Sequence, residues 1–467
     1  MPARSTLPTN IAAGGTGHIS HTNSLHTLYN AGTGGSSLLV AASDAAQSIK
    51  DRADYLCDGT ADEVEINAAL SAGKAVMLSA GTFNLAAGQS IVDPGSVPIA
   101  LVGSGWSTVL AVPNASNVYA IALSTTYKLS GYIGNLKIQC NGNNQSTGGG
   151  GINGTGCISW LFENLWINKP WHNGLYLHDD GLGGSGFGHH NTVTNCLFDQ
   201  GEVSNGGDGR ALRFDSSDEN YIINCTFQDN GRIGAAEPNH IYDLCGLNIF
   251  QFNSFVGGRS GMKLQGADSI AVGNVFDGCK DHSIRVNGDR NQLVGNKVYH
   301  LGFTGTNLDG IWVDNVAHTQ IVGNAFDTIS SGAAAGGTAR SAINMSSGTV
   351  GSSVVVGNKI MATGIAYGTA PIILPAGTGN LIRHNGGYVT EAKGTATVAS
   401  GTTSIAVTHG LGGTPALSDI KVTPTNDPTA APVRWWVSAV AATTFTITTN
   451  VNPGASGMTF AWQAIVL

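Results

Sequence analysis

A short phrase recurs through the middle of this chain, and a recurrence of that kind leaves few folds open. It reads IGNLKI at 133–138, FENLWI at 162–167, VTNCLF at 193–198 and IINCTF at 222–227, then FQFNSF at 250–255. It continues as AVGNVF at 271–276, LVGNKV at 293–298, IVGNAF at 321–326 and VVGNKI at 355–360. The shared Asn stands at 135, 164, 195, 224, 253, 274, 296, 324 and 358, with gaps of 29, 31, 29, 29, 21, 22, 28 and 34 residues. Self-similarity at such a period marks a solenoid, in which each repeat buries its apolar face only against its neighbours.

Each phrase is a run of Ile, Val and Phe bounded by Gly, Asn or Asp, which is strand chemistry. Helical-pair repeats hold their length tightly, whereas the coils of a parallel β-helix accept insertions at their turns. The variable gaps therefore favour the parallel β-helix. An Asn at one bend of every coil has a physical reason if it is buried. Its amide can bond the turn backbone and the Asn of the next coil, satisfying groups that are costly to leave bare. Asn as an ordinary turn former accounts for one or two of these positions but not for nine in register. The expectation is an inward-pointing Asn ladder.

A second phrase precedes the first in most coils: GLYLHD from 174, ALRFDS from 211, HIYDLC from 240, GMKLQG from 261, SIRVNG from 283, GIWVDN from 310 and AINMSS from 342. Strand alternation sorts its side chains by face. One outward column is Tyr176, Arg213, Tyr242, Lys263, Arg285, Trp312 and Asn344, and the other is His178, Asp215, Leu244, Gln265, Asn287, Asp314 and Ser346. Aromatic rings stack on the apolar faces of sugars, and charged groups bond their hydroxyls or carboxylates. Tyr176, His178, Arg213, Tyr242, Lys263, Arg285 and Trp312 are thus the candidate glycan-binding residues. A solvated sheet face without a ligand has the same pattern.

Composition bounds the partners. The chain has 467 residues, of which 66 are Gly, 42% are hydrophobic and 11% are charged, a balance that suits a turn-rich all-β protein and excludes disorder. A formal charge of −8 offers no electrostatic footprint for nucleic acid. No apolar run is long enough for a membrane span, and MPARSTLPTN lacks the apolar stretch of a signal peptide, so no membrane insertion and no standard secretion are expected. The seven Cys show no zinc spacing and read as small buried side chains, with Cys196 and Cys225 one coil apart. His18, His21 and His26 lie close together without a carboxylate or thiol to complete a metal site. No metal and no cofactor are expected.

Residues 45–70 read as two helical stretches, AAQSIKDRADYLC and DGTADEVEINAAL, followed by the strands KAVMLSAGTFNL and IALVGSGWSTVLAV. Gly103 and Gly105 lack the third Gly and following helix of a dinucleotide loop, so an amphipathic cap over the open end of the coil stack is the reading. DGTADEVEINAAL with VMLSAGTFNL and ALVGSGWSTVL resembles the opening of pectate-lyase-like right-handed β-helix proteins, including phage tailspikes. This resemblance spans about residues 58–385 and implies a fold more than a chemistry, because such proteins include lyases, hydrolases, epimerases and adhesins.

After residue 390 the pattern changes to alternating Thr/Val strands with Gly/Pro turns, which reads as a small β-sandwich. SGTTSIAVTHGLGGTPALSDIKVTPTND, RWWVSAV, TTFTI and FAWQA resemble a C-terminal domain of phage tail proteins. GTGHISHTNSLHTLYNAG resembles the start of minor tail proteins of phages that infect actinobacteria. The expected organisation is an attachment segment at 1–45, a capped right-handed parallel β-helix at 46–390 and a sandwich at 391–467. What the resemblance implies is a tailspike-like minor tail protein in the virion tail. It would be a homotrimer, joined to other tail proteins through its N-terminus and contacting host cell-surface polysaccharide.

Three stretches between coils are swollen, at 179–191, 199–209 and 229–239, and long loops over a rigid scaffold commonly hold function. If the chain cuts its glycan, hydrolysis needs paired carboxylates. Asp180 (or Asp179), Asp215 and Asp243 fall on three successive coils and are the candidate catalytic residues, with Asp208, Glu202 and Glu237 in reserve. Asp179, Asp180 and Asp243 also fit as turn-closing residues. A calcium-assisted lyase is disfavoured because no three-carboxylate site beside an exposed Arg can be assembled. The leading expectation is glycan binding, with depolymerisation as the alternative.

Overall fold

The computed structural model describes residues 37–72, 75–95, 99–123, 128–179, 188–199, 209–229, 239–258, 260–279, 281–299, 308–327, 339–348, 350–361, 371–373, 379–427 and 433–466. The N-terminal segment 1–36, with its three His, lies outside them. The chain forms two compact units, Met1–Ser269 and Ile270–Leu467. Both consist mainly of parallel β-helix coils, and the fold is the right-handed parallel β-helix with helical cap and C-terminal sandwich that the sequence implies.

In the first unit the cap is shorter in helix than expected. Gln47–Lys50 is a single turn, and Tyr55–Leu56 is a strand beside Val40 and Ala41, held there because the Asp54 carboxylate accepts from the Leu39 amide at 2.8 Å. The helix Glu63–Ser71 is as read, with Ile66, Ala69 and Leu70 buried. Asp62 sits at its start, but the carboxylate accepts from the Gly59 amide at 2.9 Å and the Asn84 amide at 2.6 Å instead of capping the helix. It ties the cap to the first coil.

The coils of this unit have three faces. One is a pair of strands meeting at a bend, as in Thr192–Thr194 and Leu197–Asp199, or Tyr221–Ile223 and Thr226–Asp229. The second is a flat parallel face running from Ile91–Val92 through Tyr119–Leu123, Gly150–Thr155, Asn173–His178, Arg210–Asp215 and Asn239–Asp243 to Ser260–Leu264. The third is short, with Lys128–Leu129, Cys157–Ile158, Gly188–His189 and Ser217–Asp218 in parallel. Inside, like stacks on like: the Phe198 and Phe227 rings lie 5.1 Å apart and the Phe227 and Phe255 rings 4.8 Å apart, nearly parallel in both pairs. Such stacking follows from in-register coils about 4.8 Å apart.

The bend corrects the expected ladder. The residue at each bend is left-handed: Asn135, Asn164, Asn195 and Asn224 have φ of 56°, 51°, 55° and 54°. Only Gly, and then Asn or Asp, adopts that conformation cheaply. These four Asn point outward, where Asn164 Nδ2 donates to Asn135 Oδ1 at 2.8 Å and Asn224 Nδ2 to Asn195 Oδ1 at 2.6 Å. The inward position is the next residue: Leu136, Leu165, Cys196 and Cys225, all buried. At the last bend of this unit Phe252 is left-handed at φ 55° and Asn253 takes the buried place.

In the second unit Gly273, Gly295, Gly323 and Gly357 occupy the bends at φ 65°, 63°, 65° and 69°, and the Asn after each is buried. A Cβ on Gly295, Gly323 or Gly357 would touch nothing within 4 Å, so backbone angle, not space, selects glycine. Here the inward ladder is as expected. Asn296 donates Nδ2 to Asn324 Oδ1 at 2.9 Å, Asn324 to Asn358 Oδ1 at 3.0 Å and Asn358 to Asn385 Oδ1 at 2.9 Å. The same side chains donate to the backbone carbonyls of Ala271, Leu293 and Ile321.

A second inward row, not read from the sequence, lies five residues earlier. In the first unit it is Asn191, Asn220, Asn248 and Ser269, and in the second Asn291, Thr319, Ser353 and Asn380. Asn191 Nδ2 donates to Asn220 Oδ1 and Asn220 Nδ2 to Asn248 Oδ1, both at 2.9 Å. A left-handed residue again precedes each, among them His190, Glu219, Leu247 and Asp268.

The second unit ends in a sandwich of two three-stranded antiparallel sheets. One is Glu391–Val398, Met458–Ile465 and Ile420–Pro424, and the other Ser404–Thr408, Thr444–Thr449 and Trp435–Val440. Val398, Ile420, Phe445, Ile447, Phe460 and Trp462 fill the space between them.

The two kinds of bend Asn are predicted to differ in weight. Asn324→Ala leaves buried amides and carbonyls of its neighbours unsatisfied and should cost about 1–3 kcal/mol. Asn195→Gly keeps the left-handed bend and should stay within about 0.5 kcal/mol of wild type in denaturant titrations.

Candidate functional site

The flat face of the first unit gathers the candidate side chains. In Asn173–His178 and Arg210–Asp215, alternation sends Leu175, Leu177, Leu212 and Phe214 into the core and Tyr176, His178, Arg213 and Asp215 outward. The parallel register sets Tyr176 beside Arg213, His178 beside Asp215, Arg213 beside Tyr242 and Tyr242 beside Lys263. Tyr176, Arg213 and Tyr242 thus stand in register on the outer side, with Lys263 next, about 14 Å over three strand steps.

Its members bind one another. The Arg213 guanidinium donates to Asp215 Oδ2 at 2.5 Å, and the Tyr176 hydroxyl donates to the same oxygen at 2.8 Å. The Arg213 guanidinium lies 5.0 Å from the Tyr176 ring and 5.9 Å from the Tyr242 ring, with Arg210 at 4.7 Å and Lys263 Nζ at 5.0 Å from Tyr242. Cations over ring faces at such distances are attracted by the quadrupole. Tyr242 donates its hydroxyl to Gln265 Oε1 at 3.0 Å. Lys263 is almost wholly covered, at 7% exposure, which departs from the open cation expected. His178 stacks on Tyr176 at 4.3 Å, and its Nε2 lies 3.0 Å from Thr155 Oγ1 and 2.9 Å from Asn153 Oδ1.

Burial shapes the protonation of this group. It pushes the Tyr176 hydroxyl up, reinforced by the bond to Asp215. Burial likewise lowers His178, favouring a neutral ring. On Arg213 burial works downward, but the bond and charge of Asp215 outweigh it and the guanidinium is raised. Asp215 Oδ1 is buried and has no hydrogen-bond partner among the described residues.

At the end of this strand the chain turns through left-handed Ser216, φ 51°, into the short face at Ser217–Asp218. The turn borders a cavity of about 400 Å³ lined by Asp215, Ser216, Asp218, Leu244 and Cys245. Asp218 pairs in register with His189 on the preceding coil, and burial and then the Glu219 charge push its carboxyl up. The sequence reading missed Asp218; its signal was the SSD that follows the outward Asp215, one corner further on.

Asp243 is not part of this face. It points inward, is 0% exposed, and accepts from Ser269 Oγ at 2.6 Å, Asn248 Nδ2 at 2.9 Å, and the Gly246 and Cys245 amides at 3.0 and 3.2 Å. Strand parity is the reason: it occupies the core column of Leu177, Phe214 and Leu264, where it anchors the inner polar row. The expected pairing of Asp215 with Asp243 is thus excluded. Asp180, Glu202, Asp208 and Glu237, with most of the three swollen loops, lie outside the described residues.

In the second unit Arg285 pairs with Trp312 and Trp312 with Asn344. Trp312, read as a member of the outward column, is half-buried, with the Arg285 guanidinium 4.2 Å from its centroid and His282 tilted against it at 4.6 Å. Asp314 accepts from Arg285 at 3.2 Å, Asn287 at 2.9 Å and Ser347 at 2.5 Å. Burial works to raise its carboxyl, but these bonds hold it below the usual range. Asn344 is buried and donates to Asp309 Oδ2 at 2.9 Å.

The chain resembles two solved structures over most of its length. The Dettilon tailspike protein (gp208) matches at 14% identity and a TM-score of 0.53, covering 86% of this chain and 90% of its own. The A-module of the Azotobacter vinelandii mannuronan C-5 epimerase AlgE6 matches at 15% identity and a TM-score of 0.52, covering 71% of this chain and 93% of its own. What they share with it is the parallel β-helix. In sequence, residues 173–345 match the family described as periplasmic copper-binding protein (NosD). No curated protein matches the chain. Among the described residues the one cluster of groups that could hold a metal is Cys57, Asp62 and Glu65, outside the matched segment.

Asp243 carries a pH signature. Burial raises its carboxyl in the folded state, so its contribution to stability is complete below the ordinary carboxylate range, about 3.9, and is lost as pH rises toward the raised value. The melting-temperature difference between wild type and Asp243→Asn should shrink as pH rises above about 4. A difference that is flat or grows would contradict the assignment.

Proposed function

We propose that this chain is a phage tail protein of tailspike type that binds a host cell-surface glycan through the flat face of its first unit. The observation that supports this most is the outward stack of Tyr176, Arg213 and Tyr242 beside the 400 Å³ cavity. Rings and fixed donors alternate at strand spacing there, which suits a chain of sugar units. The cation–ring and carboxylate contacts hold these side chains in one conformation, so little entropy is lost when a ligand arrives. The tailspike neighbour supports the same reading at the level of fold, and the termini resemble minor tail proteins of actinobacterial phages.

On this reading the protein resides in the virion tail, attaches through its N-terminal segment and acts as a homotrimer. Trp435 and Trp436, at 40% and 47% exposure on an edge strand of the sandwich, support an assembly that covers them.

Binding to cell-wall polysaccharide extracted from actinobacterial hosts is the test. Tyr242→Ala should weaken binding about tenfold or more while the fold persists, the loss typical of a truncated aromatic anchor. Undiminished binding would move the ligand elsewhere. Light scattering that returns only the single-chain mass would contradict the trimer.

A further inference from the structure

Resting on that glycan-binding reading, we propose that the first unit carries a second sugar site on its two-strand face, where Trp106, Trp166 and Lys137 take an acidic unit of the same polysaccharide. A departure from the coil pattern builds it. In later coils a single left-handed residue joins the two strands of this face, but between Ala100–Val102 and Thr108–Ala111 the chain runs through a loop at 103–107. Gly105, at φ 89°, turns this loop, and its amide donates to the Asn135 carbonyl at 2.9 Å. The Ser104 amide donates to Thr108 Oγ1 at 2.8 Å and Ser104 Oγ to the Leu78 carbonyl at 2.9 Å. Gly103 and Gly105, which make no dinucleotide loop, thus lift Trp106 out of the coil on a fixed support.

Trp106 is 41% exposed, yet its ring is held in place. Its Nε1 donates to the Asn164 carbonyl at 3.0 Å, two coils on and about 10 Å along the stack. Trp166, which stands in register with Lys137, lies 5.5 Å from Trp106 and is tilted by 58°. The Lys137 ammonium sits 3.8 Å above the Trp166 ring. An exposed ring and a cation are therefore set before any ligand arrives, which limits the ordering cost of binding.

The surroundings decide the class of ligand. The next outward positions on these strands are Gln139, Asn168 and Asp199, where Gln139 Nε2 donates to Asn168 Oδ1 at 2.6 Å and Asn168 Nδ2 to Asp199 Oδ2 at 2.9 Å. The core of a protein interface is depleted of charged groups. A sugar suits this mixture better, since its apolar face lies on a ring while its hydroxyls bond amides and carboxylates. The two carboxylates beside the site are engaged, Asp199 by Asn168 and Glu163 by the Tyr132 hydroxyl at 3.1 Å. Lys137 makes no ion pair among the described residues, and its contact with the ring leaves ammonium hydrogens to donate. A carboxylate or phosphate on the sugar completes that cation.

The test measures binding of the full-length protein to extracted actinobacterial cell-wall polysaccharide in three forms: native, carboxyl-reduced and dephosphorylated. Trp106→Ala should weaken binding to the native extract about tenfold, with melting temperature and assembly retained. Lys137→Met should also weaken it, and that loss should vanish on the carboxyl-reduced extract if the acid is a carboxylate, or on the dephosphorylated one if it is a phosphate. Trp106→Ala combined with Tyr242→Ala should abolish binding that each single variant keeps in part. Undiminished binding by Trp106→Ala, with Tyr242→Ala impaired, overturns this site and leaves the flat face standing; the reverse result overturns the flat face and leaves this site standing. A Lys137→Met loss that is equal on all three extracts overturns the acidic class. Light scattering in which Trp106→Ala loses its assembly also overturns the site, because the indole is then a subunit contact. Failure of the wild type to bind any extract overturns both readings.

Discussion

A residue in the left-handed region at the bend of each coil is the constraint on which the rest of this structure depends. It turns the chain sharply without using a turn's worth of residues, and so decides which neighbour faces the core. In the second unit Gly takes that place and the following Asn points inward, where its amide bonds the next Asn and a backbone carbonyl. In the first unit Asn itself takes it at most bends, and Leu or Cys falls inside. Two solutions serve one geometry. An apolar side chain gains burial, and an Asn satisfies polar backbone that would be costly to leave bare.

The coil fold was legible because its signal is redundant. Nine phrases with β-branched and aromatic residues around a bend can hardly be anything but strands in register. Which Asn is buried was not legible from the shared letter, since N-C and G-N place it on opposite sides of the same bend. The distinguishing residue is the one at positive φ, and Gly before Asn was the available clue at 273, 295, 323 and 357. The second inward row was harder to see, because Asn, Ser and Thr alternate there and carry the same hydrogen bonds with different letters. His190, Glu219 and Leu247 before it gave no hint of a left-handed residue.

The site was legible by column and not by partner. Parity along a strand places Tyr176, Arg213 and Tyr242 outward, and they are there. What parity does not reveal is how the column satisfies itself: Arg213 and Tyr176 converge on Asp215, and Arg285, Asn287 and Ser347 on Asp314. Asp243 lies in the core because one residue along a strand exchanges the faces. Asp218 escaped because it stands beyond a corner, where alternation along the strand no longer applies. A parallel β-helix supports many chemistries, so the fold alone does not name a function, and the proposed one is argued from this cluster.

The central claim is that the left-handed bend residue sets what each coil buries, and an experimental density map of the full-length protein tests it most directly. The account predicts side-chain density for Asn135, Asn164, Asn195 and Asn224 outside the coils. Asn253, Asn274, Asn296, Asn324 and Asn358 should lie inside, each directly after a residue at positive φ. Inward density at Asn195 or Asn224, or outward density at Asn296 or Asn324, would contradict it.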